Sequence, residues 1–186
     1  MARPRTHDDT VQLKLLEAAS ESIAARGVEG LSLRSVASQA GTTTAAVYSL
    51  FGNRDELIDA VVQEGFGRFA ARLETVEQSD DALADLLALG LAYRQNALED
   101  SNFYRVMFSA APYDPENSTF QTLTHAVARA IDCESEQARV HAERVWAYVH
   151  GLVSLELAGL RPGTEQERAA AYTEALQAGA AMLPLS

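Results

Sequence analysis

Apolar residues recur along this chain at intervals of three and four from near residue 10 almost to its end, and no stretch alternates with β-branched residues long enough to form a strand. The pattern predicts an all-α protein of about nine helices, over 10–26, 33–40, 44–51, 54–77, 81–98, 101–109, 116–131, 134–160 and 164–182. Glycine and proline punctuate it. Gly27 and Gly30 bracket the turn after the first helix, Gly41 ends the second, and Gly52-Asn53 closes the third. Ala-Pro-Tyr-Asp-Pro at 111–115 forces a loop, and Arg161-Pro162-Gly163 makes a hairpin between the last two helices.

The first three helices can bury one another. Leu13, Leu16, Ala19 and Ile23 form a stripe on the first, while Leu33, Val36, Ala37 and Ala40 give the second an apolar face. On the third, Val47, Leu50 and Phe51 share one side, and Ala45, Tyr48 and Ser49 share the other. The outer side carries small and hydroxyl groups, able to enter a major groove. Ser32 reads as the N-cap of the second helix and Thr42 or Thr43 as that of the third, leaving N–H groups at helix starts to meet phosphate oxygens. Alone, Tyr48 reads as a half-buried core aromatic and Arg34 as a solvated charge; together at this spacing they favour DNA reading.

Charge at first opposes that reading, because the 186 residues carry a formal −11 and affinity for nucleic acid rests heavily on Lys and Arg. Residues 1–55, however, hold six basic and six acidic groups, so the whole excess lies in the remainder. The longest apolar helix candidate, 145–160, contains Glu156 and is shorter than the roughly 20 residues that span a bilayer. With no secretory signal pattern at the start, a cytoplasmic protein with no membrane partner is expected. The single cysteine, Cys133, lies between Asp132 and Glu134, where carboxylates raise a thiol pKa, and reads as inert. Arg3 and Arg5 read as an untied tail rather than a minor-groove arm.

The segment GLSLRSVASQAGTTTAAVYSLFGNRDEL at 30–57 resembles the head of the tetracycline-repressor-like (TetR/AcrR) family of bacterial regulators. That resemblance implies a three-helix helix-turn-helix (homeodomain-like) DNA-binding domain over 1–53 and a helical ligand-binding and dimerisation domain over 54–186. It implies a homodimeric transcriptional regulator, a repressor, that binds double-stranded DNA at a palindromic operator and is released by a small-molecule effector. Carried over by position, Arg34 and Arg54 hold phosphates, Thr43, Thr44, Ala45 and Ser49 belong to the DNA face with Thr44 and Ala45 toward the bases, and Tyr48 reaches the backbone. Leu50 stands where the family commonly has His, and Arg54 where Lys is usual. The stretches NFYRVMFSAAP at 102–112 and VWAYVHGLVSLELAG at 145–159 resemble one C-terminal subgroup with a Trp-His-Gly motif, here Trp146, His150 and Gly151.

Phe66, Tyr93, Phe103, Met107, Trp146 and His150 are candidates to line an effector pocket suited to a hydrophobic or aromatic molecule. Each serves equally well as an ordinary core residue. Family analogy pairs the last two helices with their symmetry mates. Val149, Leu152 and Leu160 offer apolar surface there, and Ala171, Ala175, Gly179 and Ala180 let helices approach, unless these residues fill the chain's own core. Glu156, a carboxylate on an apolar face, needs a partner, and an ion pair or interface hydrogen bond is preferred to ligand contact. His141 and His150 fall on opposite helix faces, His125 stands alone, and no catalytic, metal-binding or phosphate-cradling motif occurs. No catalytic residue, metal or cofactor is expected, and the chain does not read as an enzyme.

Overall fold

The computed structural model describes residues 5–110, 114, 117–181 and 183–184; Arg3 and, apart from Asp114, the 111–115 loop lie outside the described residues. Among those residues there are nine α-helices and no strand. They are α1 (Arg5–Arg26), α2 (Leu33–Gln39), α3 (Thr44–Phe51), α4 (Arg54–Glu74), α5 (Ala82–Glu99), α6 (Ser101–Ala110), α7 (Ser118–Ala130), α8 (Ser135–Leu157) and α9 (Glu165–Ala180), with a 3-10 turn at Val28–Gly30. The all-α expectation holds. The main difference in helix ends is at α1, which starts at Arg5 rather than near residue 10, so Arg5 is helical and not part of a tail. The chain divides into two compact units, Met1–Arg68 with Asp100–Tyr113, and Phe69–Glu99 with Asp114–Ser186.

In the first unit α1, α2 and α3 bury their apolar faces together with α4. Leu15, Leu16, Ala19 and Ile23 of α1 meet Val36 and Ala37 of α2, Val47 and Phe51 of α3, and Leu57, Ile58 and Val61 of α4. Leu13 does not join them: it is 42% exposed, and Leu15 and Ala18 carry the stripe in its place. A helix whose buried arc is wide leaves several registers compatible with one apolar pattern, and packing against α2 and α3 selects between them. Phe103 and Val106 of α6 belong to this same core. The Arg68 guanidinium draws the pieces together: Nε donates to Glu64 at 2.8 Å, Nη1 to Asp100 at 2.7 Å, and the group lies 4.2 Å from the centre of the Phe103 ring.

The second unit is built from α5, α7, α8 and α9. Leu86, Ala126, Val127, Ala138 and Ala142 form its centre, with Phe120, Leu123 and Val145 packed around them. Tyr172 is almost fully buried and donates its hydroxyl to the Gly90 carbonyl at 2.8 Å, which joins α9 to α5. The Tyr148 hydroxyl donates to the Ala175 carbonyl at 3.0 Å, and its ring occupies the space that a Cβ on Gly179 would need. Gly179 is therefore small for α8 of its own chain, and Val149 is likewise buried inside it. At the start of α5, Asp85 accepts from the Ser79 N–H, the Ser79 hydroxyl and Arg129, which holds its carboxyl below the usual range.

Glu156, near the end of α8, finds its partners within the chain. Arg94 of α5 grips it in a fork, Nε to Oε2 at 2.8 Å and Nη2 to Oε1 at 2.6 Å, and Arg168 of α9 adds 3.2 Å to Oε1. Glu165 accepts from Arg94 at 2.7 Å and from Arg168 at 3.0 Å, so two guanidinium groups are balanced by two carboxylates. Hydrogen bonds from Arg94 hold Glu156 below the ordinary carboxyl range despite burial. A carboxyl so lowered stabilises the fold fully above its unfolded value, and that contribution disappears as pH falls through the folded one. Arg94→Met leaves Glu156 buried with Arg168 alone, which should cost about 3 kcal/mol of unfolding free energy near neutral pH. The penalty should shrink on acidification to about pH 3, where the carboxyl of the variant protonates. Urea unfolding at both pH values measures it; an equal penalty at both would show that the carboxylate charge is not the cause.

Candidate nucleic-acid interface

The turn between α2 and α3 is built from backbone geometry. After α2 the chain passes through Gly41 at φ 68°, and the Thr42 N–H donates to the Ala37 carbonyl at 2.9 Å while the Gly41 N–H donates to that of Ser38 at 3.2 Å. This paired closure satisfies the last carbonyls of α2 and needs the left-handed conformation that glycine adopts without strain. Two residues later Thr43 caps α3, its hydroxyl accepting from the Ala46 N–H at 3.2 Å; Ser32 caps α2 in the same way through Ser35. Of the two threonines considered for the cap, the structure selects Thr43.

Because Val47 and Phe51 are buried, the opposite side of α3 is presented to solvent. Thr43, Ala45 and Ser49 are exposed, Thr44 is half-exposed, and Tyr48 is 56% exposed. Arg34 is exposed on α2. Leu50 is half-buried and packs on the core of the first unit, so an aliphatic group there has a packing role. Gln39 of α2 donates to Glu21 of α1, which fixes α2 on its supporting helix.

Arg54 behaves differently from the exposed group. Its Nε and Nη2 donate to the carbonyls of Leu31 and Val28, on the turn that leads into α2, and Nη1 lies 3.5 Å from Asp55. Asn53 caps α4 beside it, Oδ1 accepting from the Asp55 and Glu56 N–H groups at 2.9 and 3.0 Å. The sequence offered no sign of the carbonyl clamp, since acceptors on a backbone turn leave no trace in residue type.

The six pocket candidates divide between the units. Phe66, Phe103 and Met107 belong to the first: Phe66 stands edge-on to Phe108, Phe103 lies under Arg68, and Met107 fills the space over Gly65. Tyr93, Trp146 and His150 belong to the second, where the Tyr93 hydroxyl shares a 3.0 Å hydrogen bond with His150 Nδ1 and the Trp146 ring lies 6.0 Å from the imidazole. Burial lowers the His150 pKa and favours the neutral ring. A groove of about 510 Å³ in the second unit runs between Leu91, Arg94, Gln95 and Leu98 of α5 and Ala169 and Tyr172 of α9, and none of the six lines it.

Residues 15–61 match the family model described as "Bacterial regulatory proteins, tetR family", and residues 86–178 match "Tetracyclin repressor-like, C-terminal domain". The chain belongs to the tetR family. Members of that family are DNA-binding transcriptional regulators rather than enzymes, and this chain carries their helix-turn-helix. Among curated relatives, the HTH-type transcriptional regulator Rv1816 of Mycobacterium tuberculosis is 26% identical over 141 residues, 71% of this chain and 59% of that protein. The chain thus spans somewhat more than half the length of the curated relatives it matches. A TetR-like transcriptional regulator from Rhodococcus sp. RHA1 superposes over 96% of both chains with TM-score 0.74 at 15% identity. A TetR variant from Acinetobacter baumannii AYE, solved in complex with minocycline, superposes over 90% of this chain and 93% of its own with TM-score 0.63 at 22% identity. These two likenesses establish the fold.

Within this tetR-family head, the positions of Arg34 and Arg54 call for different outcomes on substitution. Arg54→Lys cannot span both carbonyls and should lower unfolding free energy by about 1–2 kcal/mol, the value of charge-assisted hydrogen bonds. Arg34→Ala, on exposed surface, should change it by less than about 0.5 kcal/mol. Chemical denaturation compares them, and indistinguishable midpoints would remove the clamp role of Arg54.

Proposed function

We propose that the chain is a ligand-responsive repressor that binds a palindromic operator as a homodimer and is released by a small hydrophobic or aromatic effector. The observation that carries the DNA-binding part is the exposed outer side of α3, a helix whose inner side is fully committed to the core. Residues 1–53 form the DNA-binding domain in this reading and 54–186 the regulatory domain, of the Trp-His-Gly subgroup. Thr44 and Ala45 face bases, Tyr48 and Ser49 meet the backbone, and Thr43 sets the start of the helix that carries them. Arg34 neutralises a phosphate. Arg54 holds the 28–31 turn, and its Nη1, 3.5 Å from Asp55, is shared with a second phosphate.

The effector is received either in the second unit, at Tyr93, Trp146 and His150, or in the first, at Phe66, Phe103 and Met107. Apolar rings supply most of the contact, and a neutral His150 bonded to Tyr93 supplies a polar point that fixes orientation. The curated relatives, named as HTH-type transcriptional regulators, support the regulatory reading. No described helix is long and apolar enough to cross a membrane.

Selection of bound sequences from a random DNA pool, followed by anisotropy titration across salt concentrations, tests this. An inverted repeat should emerge, and log affinity should fall steeply with log salt. Each phosphate contact contributes about 0.9 to that slope, so Arg34→Ala, acting once in each half-site, should flatten it by about 2. Tyr48→Ala should weaken binding at every salt concentration. An unenriched pool, or binding indifferent to salt, would overturn the reading.

A further inference from the structure

Residues 31–53 form α2, the turn and α3, and they contain no Lys, His, Asp or Glu. The side chains there that could make a two-pronged hydrogen bond to a base edge are Arg34, Gln39 and Asn53. Two of the three are engaged within the chain. Gln39 turns its amide nitrogen to Glu21, and Asn53 turns its amide oxygen to the Asp55 and Glu56 N–H groups at 2.9 and 3.0 Å. Reading adenine takes the donor and the acceptor of one carboxamide together, so each of the two has half of that pair committed to the protein. Arg34 stands on α2 rather than on α3, and Arg54, just beyond the segment, is bonded to the carbonyls of Val28 and Leu31.

What stands at the start of α3 is small. The Thr43 hydroxyl accepts from the Ala46 N–H at 3.2 Å to cap the helix, and Thr44 is half-exposed. Ala45 is exposed and has nothing beyond its Cβ methyl. At 100° per residue, Ser49 and then Gly52 at the helix end continue the line that Ala45 begins. In a helix-turn-helix the first residues of the second helix are those that meet base edges. The foremost group that residue 45 presents there is a methyl.

In the major groove guanine shows two acceptors, cytosine a donor, adenine one of each, and thymine an acceptor beside its C5 methyl. A methyl pressed onto any of the first three takes water from a polar atom and returns no hydrogen bond, which costs binding energy. Against thymine, methyl meets methyl and apolar surface is buried on both sides. We propose that Ala45 reads the C5 methyl of a thymine in each half-site, so that α3 selects its base by apolar contact and by exclusion of unpaired polar edges. The inference rests on the operator reading and names the base feature on which that reading turns. It explains why the amide side chains at both ends of the segment are free to serve the protein: Gln39 fixes α2 on α1, and Asn53 caps α4.

Uracil differs from thymine by that methyl alone, so synthetic operators in which the thymines of the selected sequence are replaced by uracil, one symmetric pair at a time, test the inference by anisotropy titration. At one pair the wild type should bind about 15-fold more weakly, the square of the roughly 4-fold that one buried methyl contributes in each half-site. Ala45→Gly removes the protein's side of the contact. It should bind the thymine operator more weakly than the wild type does and should no longer distinguish thymine from uracil at that pair; because this is a ratio within one protein, any loss of helix stability cancels from it. A uracil penalty of the same size in Ala45→Gly as in the wild type would overturn the assignment to Ala45. A specific half-site without thymine, or one whose uracil series leaves wild-type affinity unchanged throughout, would overturn the methyl contact and leave the operator reading standing. An unenriched pool would overturn both.

Discussion

The burial of Val47 and Phe51 is the contact on which the helix-turn-helix head depends. α3 has only eight residues, too few for a helix to persist in water on its own propensity, so its order comes from the core it helps to close. The Thr43 cap and the Gly41 closure set where it begins, and the two buried side chains set how it is rotated. Once that rotation is fixed, the exposure of Ala45, Tyr48 and Ser49 is not a separate design. It is the remainder of a short helix whose other side is occupied.

Support for that core extends beyond the three head helices. Phe103 and Val106 bring α6 into it, and Arg68 binds α4 to the start of α6 through Asp100 and Phe103. The first compact unit therefore contains a segment that arrives in the chain after α5 has been completed. Displacing α6 would disturb the same cluster that orients α3. On the proposed reading this gives an effector contacting Phe103 or Met107 a route to the DNA face through packed side chains, without any further element.

Much of this was legible in the sequence, and the parts that were not share a cause. The spacing of apolar residues located all nine helices, because 3.6-residue periodicity survives whatever the helix packs against. The split of α3 into a buried and an open side followed from the same periodicity. Partner identity did not. Leu13 falls outside the α1 stripe because which of several neighbouring leucines faces inward depends on the orientation of α2 and α3. Gly179 signalled a close approach correctly, yet the approaching group is Tyr148 of the same chain. Glu156 signalled a partner, by ion pair or interface hydrogen bond, but that the partners are Arg94 and Arg168 of the same chain is a fact of tertiary contact. Arg54 was matched to a phosphate position by resemblance, while its bonds to Val28 and Leu31 involve main-chain acceptors that no residue type reveals.

The charge distribution adds a constraint on how such a head could bind DNA. With residues 1–55 neutral and the rest of the chain carrying the −11, long-range attraction to a polyanion is weak, and at physiological salt the acidic remainder is screened beyond roughly 8 Å. Affinity must then come from groups that actually touch the duplex. Those available on the open face are mostly small: Thr44, Ala45 and Ser49 can offer a methyl or a single hydroxyl, and none supplies the two-pronged contact by which Arg or Asn discriminates a base. Discrimination therefore falls more heavily on how closely the backbone of α3 can enter the groove, which small side chains favour. It falls also on sequence-dependent groove shape and, on the proposed homodimer reading, on the spacing between two heads. A head of this composition gains specificity from rigid placement, which is why the contacts that fix α3 matter more to its action than the chemistry of any one exposed side chain.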